Sequence, residues 1–340
     1  MLDIKFIREN LQTVKTGLGR RNGNNHDLDA LLTQEDERRQ GLQESEQLKN
    51  KKKKLSAEVG KLKQQGKNAS KQMEEVKNLN VFIKELDEKI EGLESIIHEK
   101  LLHIPNLPDE SIPDGQDEAS NRFVREWGRK PSLSTKPLNH VELGEKLDLI
   151  DLKRAAKISG ARFAVYKGAG AALLRGLVNF MVDVQTQENG YEELYPPFLV
   201  NKASMLGTGQ LPKFENDQFA MRDDPLYLIP TGEVPVTNFH REEILDEESL
   251  PICYTAYTPC FRREAGSYGK DTHGLIRQHQ FDKVELVKFS RADESEQELE
   301  KLVRDAESIL KKLNLHYSCL LYTSDAADER SSVDLGGRRI

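Results

Sequence analysis

The first 104 residues contain no proline, and their apolar residues recur at intervals of three and four. This spacing puts apolar side chains on one face of a helix, so it predicts two long helices paired as an antiparallel coiled-coil hairpin. Residues 66–68, Gly-Lys-Asn, mark the expected reversal, because glycine and asparagine tolerate the left-handed backbone that closes a helix. The predicted seam consists of Leu42, Leu48, Leu55, Val59 and Leu62 in the first helix and Ile83, Leu86, Ile90, Leu93, Ile97, Leu101 and Ile104 in the second.

Charge is unevenly spread along this hairpin. Ten lysines and three glutamates lie between Lys49 and Lys77, a net charge of +7, in a chain whose formal net charge is −7. A basic end on an acidic protein is typical of a surface that binds a polyanion. A solvated coiled-coil surface, which also carries lysine and glutamate, accounts for the charge equally well.

The composition argues against a membrane protein and against a disulfide scaffold. No apolar run approaches the ~20 residues that a bilayer span needs, and the N-terminus lacks the apolar stretch of a signal peptide, so a cytoplasmic location is expected. Cys253, Cys260 and Cys319 are odd in number and lack zinc-site spacing, so they are predicted to be reduced thiols. His273 and His279 fit no zinc motif either, and no metal site is expected.

Five prolines between Pro105 and Pro137 end the helical period, so residues 105–139 are interpreted as a linker. The rest of the chain predicts an α+β domain with a mainly antiparallel sheet flanked by helices. Gly168 and Gly170 lack the third glycine of a dinucleotide fingerprint, so a Rossmann site is not favoured. Helices are expected at residues 140–158, 173–189 and 292–313, and strands at residues 162–166, 195–200, 226–229, 254–261 and 280–287.

Residues 258–285 predict two strands joined by a long loop that contains three glycines. Because alternate residues of a strand share a face, the charged side chains should line one cleft, over which the loop, residues 265–274, could close. The arginine fork of Arg262 suits a phosphate, and the ring of Phe281 suits a base. An amphipathic hairpin with a solvated face is the alternative. The residues expected around the cleft are Arg262, Glu264, Arg277, His279, Phe281, Lys283 and Glu285.

This stretch resembles motif 2 of the class II aminoacyl-tRNA synthetases, and three further segments resemble the bacterial seryl-tRNA synthetases in particular. Residues 190–197 resemble the motif 1 helix-to-strand turn, residues 207–214 (GTGQLPKF) resemble a loop of that family, and residues 229–235 (IPTGEVP) resemble its serine-binding segment. The resemblance extends from Met1 to about Tyr317. It implies a tRNA-binding coiled-coil arm at residues 1–104, a linker at 105–139 and a partial class II catalytic domain at 140–317.

The resemblance also implies a function. Such a protein activates L-serine with ATP and Mg²⁺ and transfers the seryl group to tRNA(Ser), and in this family also to tRNA(Sec), while motif 1 implies a homodimer. Arg262 is implied to be the catalytic residue at the α-phosphate of ATP, and Glu264 to bind the adenine amino group. The implied ATP site comprises Arg262, Arg263, Glu264, Arg277 and Phe281, and the implied serine site comprises Thr231, Gly232, Glu233 and Glu285. The implied tRNA-binding residues are Lys49, Lys51, Lys52, Lys53, Lys54, Lys61, Lys63, Lys67 and Lys71.

Residues 318–340 depart from the family pattern. No apolar period follows Tyr322, and motif 3, whose arginine clamps the nucleotide in this family, has no counterpart. We therefore expect an atypical tail, an incomplete adenylate pocket and an inactive fragment. Two other functions stay open: a non-catalytic, tRNA-binding coiled-coil adaptor, and a class II synthetase for another amino acid, which the arm and residues 231–233 disfavour.

Overall fold

A computed structural model describes residues 1–21, 26–115, 118–264, 274–323 and 338–339. Contacts divide the chain into two compact units, Met1–Leu107 and Pro108–Ile340. The first is helical and the second combines helices with strands, so the α+β class predicted from the sequence is confirmed.

Two long helices make up most of the first unit. After the short helices α1 (Ile4–Glu9) and α2 (Leu11–Gly19), α3 spans Leu28–Gln64 and α4 spans Ser70–His103. Between them Gly66 has a φ of +68°, the left-handed conformation expected at the reversal. Ion pairs from Arg38 to Glu94 and from Lys51 to Glu75 connect the two helices. Because the later residue of α3 pairs with the earlier residue of α4, the helices form an antiparallel hairpin, as the periodicity predicts.

The packing of this hairpin differs between its two helices. The predicted seam of α4 is buried at its isoleucines, for example Ile90 and Ile97, but in α3 Leu42 is 42% exposed. Gly41 and Ser45 are buried instead. A Cβ atom on Gly41 would lie 3.1 Å from Ile90 Cγ1, so the helices approach too closely there for a leucine. The prediction that Leu42 holds the seam is therefore wrong.

In the second unit, a strand occurs where only a linker was expected. β1 (Arg122–Trp127) pairs antiparallel with β7 (Tyr317–Leu321), which also pairs with β8 (Arg338–Arg339). Cys319 and Leu321 of β7 are buried, so the boundary expected at Tyr317 falls inside a strand. Such pairing between residues almost 200 positions apart has no local sequence signal.

The four longest helices among the described residues of the second unit are α5 (His140–Lys146), α6 (Leu152–Ser159), α7 (Ala169–Gln187) and α10 (Ser295–Lys312). The single helix expected over residues 140–158 is broken at Asp148, whose φ is +56°, and Asp151 starts α6 by accepting a hydrogen bond from the Arg154 N–H at 2.8 Å. The strand expected at residues 162–166 is absent, because Arg162 has a φ of +63° and Tyr166 makes only an isolated bridge to Ile150.

The central strands are β5 (Ile252–Phe261) and β6 (Gln280–Phe289), which pair antiparallel over their whole length. Cys260 lies opposite Phe281 and Ala256 lies opposite Glu285. β2 (Glu192–Glu193) adds to β5 in the parallel direction, and β3 (Leu199–Asn201) pairs with β4 (Leu226–Leu228). The strand expected over residues 195–200 begins only at Leu199, because the prolines at 196 and 197 supply no backbone donors.

A small apolar core holds the segment between β4 and β5 in place. Ile229 and Val234 are fully buried, and they pack with residues of α8 (Lys202–Gly207). Burying a side chain of this size contributes roughly 1.5–3 kcal/mol. The Phe261 N–H donates to the Ile229 carbonyl at 2.8 Å, so this core places residues 230–233 beside the end of β5. The short helix α9 (Glu233–Thr237) then packs against β6. None of the helices in the described parts of the chain combines the length and the apolar character that a bilayer crossing needs.

Candidate active site

Arg262 and Phe281 form the first contact of the candidate site. β5 ends at Phe261, but the Arg262 N–H still donates to the His279 carbonyl at 2.9 Å and continues the pairing. The Arg262 guanidinium lies 5.2 Å from the centroid of the Phe281 ring, and its Nε donates to the Pro230 carbonyl at 3.1 Å. A cation held over an aromatic face in this way is fixed in orientation, and it suits a phosphate next to a stacked base.

Glu264 and Arg277 lie on either side of residues 265–273, which are outside the described residues. His273 and all of the expected closing loop except Gly274 fall in this segment. Glu264 has a φ of +49°, so it has left the strand and the alternation argument is wrong for it. Its carboxylate is nevertheless buried and accepts a hydrogen bond from Arg277 Nη1 at 3.1 Å. The Glu264 backbone carbonyl accepts another from Arg162 Nη1 at 3.2 Å.

Thr231, Glu285 and Lys283 form the second half of the site. The Thr231 hydroxyl, 1% exposed, donates to Glu285 Oε2 at 2.6 Å and accepts from the Glu233 N–H at 3.2 Å. Lys283 Nζ lies 2.5 Å from the same carboxylate oxygen and 2.7 Å from the hydroxyl. Lys283 and Glu285, which strand alternation placed around one cleft, thus contact Thr231, which only the family resemblance implied for the site.

Glu285 is an anion in this environment. Burial alone would raise the pKa of its carboxyl, but the Lys283 ammonium and the hydrogen bonds from Thr231 and the Glu233 backbone outweigh burial, and the pKa lies below its ordinary value. A half-buried carboxylate that stays ionised at neutral pH can bind an ammonium group.

Gly232 allows the close approach of this segment to the strands. A Cβ atom there would lie 3.1 Å from Thr258 Oγ1 and 3.3 Å from Glu285 Cβ. A side chain at this position would therefore push Thr231 away from Glu285.

Arg263, implied for the ATP site, and His279, expected at the cleft, do not join the cluster. The Arg263 side chain is exposed, and among the described residues it contacts none of the groups named above; its backbone N–H donates to the Asp217 carbonyl at 2.9 Å. His279 packs its ring against Phe163 and Phe219, and its Nδ1 lies 2.9 Å from the Arg262 carbonyl. His279 therefore supports the backbone at Arg262.

Comparison with known proteins agrees with this geometry. Residues 1–108 match the seryl-tRNA synthetase N-terminal domain, and residues 213–335 match the tRNA synthetase class II core domain (G, H, P, S and T). The chain is 50% identical over 317 residues to the serine--tRNA ligase of Syntrophotalea carbinolica, covering 93% of this chain and 74% of that protein. It is 52% identical over 326 residues to the serine--tRNA ligase of Desulfitobacterium hafniense strain Y51, covering 96% of this chain and 77% of that protein. The chain belongs to the seryl-tRNA synthetase family.

A solved structure from this family has the same fold. The crystal structure of seryl-tRNA synthetase from Pyrococcus horikoshii, complexed with ATP, superposes with a TM-score of 0.88 at 33% identity, covering 99% of this chain and 79% of that one. The sequence-based prediction of a seryl-tRNA synthetase with a class II core is therefore confirmed.

The lysines implied to bind tRNA lie on the hairpin of this synthetase. Lys49 pairs with Asp87 at 3.0 Å and Lys51 pairs with Glu75 at 2.8 Å, while Lys52 is half-buried. The other six have exposed side chains and, within the described residues, form no ion pair: Lys53, Lys54, Lys61, Lys63, Lys67 and Lys71.

The sequence assigned no function to Lys283 or Arg162, although both contact residues of the site. Lys283 was expected at the cleft from its strand position, and the alternation of Phe281, Lys283 and Glu285 is the signal that could have indicated a role beside Glu285. Arg162 supports the backbone of Glu264 from 102 positions away, and no spacing rule connects the two.

Proposed function

We propose that this protein activates L-serine with ATP to form seryl-adenylate and transfers the seryl group to tRNA(Ser). The observation that supports it best is the pair of contacts along β6: Phe281 with Arg262, and Glu285 with Thr231. Phe281, Lys283 and Glu285 alternate on one face of the strand. A nucleotide bound at Phe281 and an amino acid bound at Glu285 would therefore be neighbours.

In the proposed first step, Glu285 and Thr231 hold the serine ammonium, and Phe281 lies under the adenine ring. A serine carboxylate oxygen attacks the α-phosphorus, and the bond from phosphorus to the bridging oxygen breaks, with its electron pair leaving on pyrophosphate. Arg262 would neutralise the charge that develops on the α-phosphate. No side-chain nucleophile is required. In the second step, a hydroxyl of the terminal adenosine of the tRNA replaces AMP at the seryl carbonyl.

We propose Glu264 as the acceptor for the adenine amino group and Arg277 as the residue that orients Glu264. Arg263 is proposed for the ATP site on the family resemblance alone. Gly232 and Glu233 complete the serine site through their backbone, since the Glu233 N–H already binds Thr231.

Mg²⁺ is proposed as a companion of ATP. Among the described residues, no group of three or more His, Cys, Asp or Glu side chains could hold a metal ion. Mg²⁺ commonly takes most of its oxygen ligands from substrate phosphates and water. We therefore assign no side chain of the described residues as a magnesium ligand and no step to a protein-bound metal.

The hairpin is proposed to bind tRNA(Ser), and tRNA(Sec) where one exists, through its exposed lysines. RNA helices are contacted mainly at phosphates and 2′-hydroxyls, and such contacts need positive charge rather than a base-specific pattern.

We further propose the division into an arm at residues 1–104, a linker at 105–139, a catalytic domain at 140–317 and a tail at 318–340, and a cytoplasmic location. A homodimer is proposed from residues 190–197, where Tyr195 is 76% exposed.

Transfer of labelled serine to a tRNA(Ser) transcript, with a tRNA for another amino acid as the control, tests the proposed function. Serylation of tRNA(Ser) alone supports it. Binding of the tRNA without binding of ATP would instead support the adaptor function. The separate prediction that these 340 residues form an inactive fragment is tested by serine-dependent exchange of pyrophosphate into ATP: exchange contradicts that prediction, and no exchange by a chain that binds ATP and serine supports it.

A further inference from the structure

The candidate serine site contains an ammonium group of its own. Lys283 precedes Glu285 by two residues on β6, and its side chain contacts both groups proposed to hold serine. Nζ lies 2.5 Å from Glu285 Oε2 and donates to Thr231 Oγ1 at 2.7 Å.

These contacts use the whole hydrogen-bonding capacity of the Thr231 hydroxyl. A threonine hydroxyl has one proton to donate and two lone pairs to accept with. Thr231 donates its proton to Glu285 and accepts from the Glu233 N–H and from Lys283. A second ammonium group can bind this oxygen only after Lys283 has withdrawn.

We propose that Lys283 holds the position of the substrate ammonium in the serine-free protein, and that L-serine binds by displacing it. This inference rests on the proposed function. The exchange replaces one ammonium by another on a single carboxylate, so Glu285 has a cationic partner before and after binding. A hydroxy acid of the same size brings no cation and cannot replace Lys283. Lys283 is therefore a specificity-determining residue.

The surroundings of Lys283 allow it to move. Its side chain is 32% exposed and has a flexible four-carbon stem. Lys288, on the same strand, is only 10% exposed and is held between Glu298 at 3.2 Å and Asp305 at 3.5 Å. Lys283 can therefore move toward solvent, whereas Lys288 is fixed in a buried ion-pair cluster.

Calorimetric titration of L-serine and of L-glycerate, which has a hydroxyl in place of the ammonium, tests the inference. Lys283→Met keeps the length of the side chain and removes its charge, so it should bind L-serine about tenfold more tightly than the wild-type protein. The affinity for L-glycerate should not rise. Lys283→Arg keeps a cation beside Glu285 and should bind serine no more tightly than the wild type.

Lys312→Met is the control for the loss of one positive charge. Among the described residues, Lys312 contacts none of those in the candidate serine site, and its Nζ is paired with Glu188 Oε2 at a distance of 2.8 Å. This variant should leave serine affinity unchanged. A second measurement uses thermal unfolding: serine should raise the Tm of Lys283→Met more than that of the wild type, since serine restores a cation to Glu285. If the methionine variant does not fold, Lys283→Gln should give the same order of affinities.

Unchanged or weaker serine binding by the folded Lys283 variants overturns the inference, and so does an equal gain for serine and glycerate. If the wild type binds serine and the Lys283 variant binds it with no higher affinity, the inference is wrong but the proposed function is not contradicted. A failure of both proteins to bind serine overturns the proposed serine site itself, and the inference with it.

Discussion

The guanidinium of Arg277 lies 3.1 Å from the carboxylate of Glu264, so an ion pair joins the two flanks of residues 265–273. Glu264 is only 6% exposed, and a buried carboxylate needs such a partner. The ion pair therefore fixes the Glu264 carboxylate, two residues after Arg262, as a hydrogen-bond acceptor, and we propose that it binds the base of ATP.

Glu264→Gln should reduce the discrimination between ATP and inosine triphosphate. A carboxylate can only accept a hydrogen bond from the adenine amino group and repels the oxo group of hypoxanthine, whereas an amide can donate to that oxygen. We expect the ratio of the two affinities to fall by about 10- to 100-fold in a titration. Glu188→Gln, at an exposed carboxylate paired with Lys312, should leave the ratio unchanged. A ratio unaltered by Glu264→Gln would remove Glu264 from base recognition.

In the Lys283→Met background, where no lysine occupies the hydroxyl, Thr231→Val should weaken serine binding by about 10- to 100-fold, because the isosteric valine loses a hydrogen bond to a charged group. Thr231→Ser in the same background keeps the hydroxyl and should bind serine nearly as well as Lys283→Met alone. ATP affinity should be the same in all three proteins. Equal serine affinity of the valine and serine variants, measured by calorimetry, would contradict the role of the hydroxyl.

Glu285 should stabilise the folded protein except in acid. Its pKa in the folded protein lies below the ordinary value of 4.5, so its contribution is complete above that value and is lost as the pH falls through the lower folded-state pKa. The free energy of unfolding of Glu285→Gln should therefore be lower than that of the wild type at neutral pH, and the difference should shrink in acid. Denaturant titrations from neutral pH to about pH 3 measure it. A difference that grows as the pH falls would contradict the assigned pKa direction.

Exposed lysines of the hairpin should control the salt dependence of tRNA binding. Replacing four of them with glutamine should weaken binding and make the slope of log K against log salt concentration shallower by about 3, since each lost phosphate contact removes roughly 0.7–0.9. Lys84→Gln with Lys89→Gln, at exposed lysines of the same hairpin outside the basic stretch Lys49–Lys77, is the control. An unchanged slope would favour an ordinary solvated surface. The four lysines are Lys53, Lys54, Lys61 and Lys63.

Elements with a strong local pattern were predictable from the sequence. The two long helices follow from apolar spacing, and the β5 and β6 pair follows from alternation on either side of a glycine-bearing segment. Thr231 and Glu285 were expected in one site only through the family resemblance, because they are 54 residues apart.

Features that depend on close packing or distant pairing were not predictable. Gly41 and Ser45 replace leucine in the seam of α3 because the helices approach closely there, and periodicity detects only apolar residues. The pairing of β1 with β7 and the left-handed backbone at Glu264 depend on tertiary contacts. The role proposed for Lys283 depends on the three hydrogen bonds at the Thr231 hydroxyl, which come from separate segments of the chain.

The most direct test of the account is calorimetric titration of ATP and of L-serine into the wild-type protein and Arg262→Ala, with Arg304→Ala as a control at an exposed arginine paired with Glu300. If Arg262, Thr231 and Glu285 line one site with a nucleotide half and an amino-acid half, the wild type binds both ligands, and Arg262→Ala binds ATP about 10- to 100-fold more weakly while keeping its affinity for serine. Wild-type ATP affinity in a folded Arg262→Ala protein would contradict this arrangement.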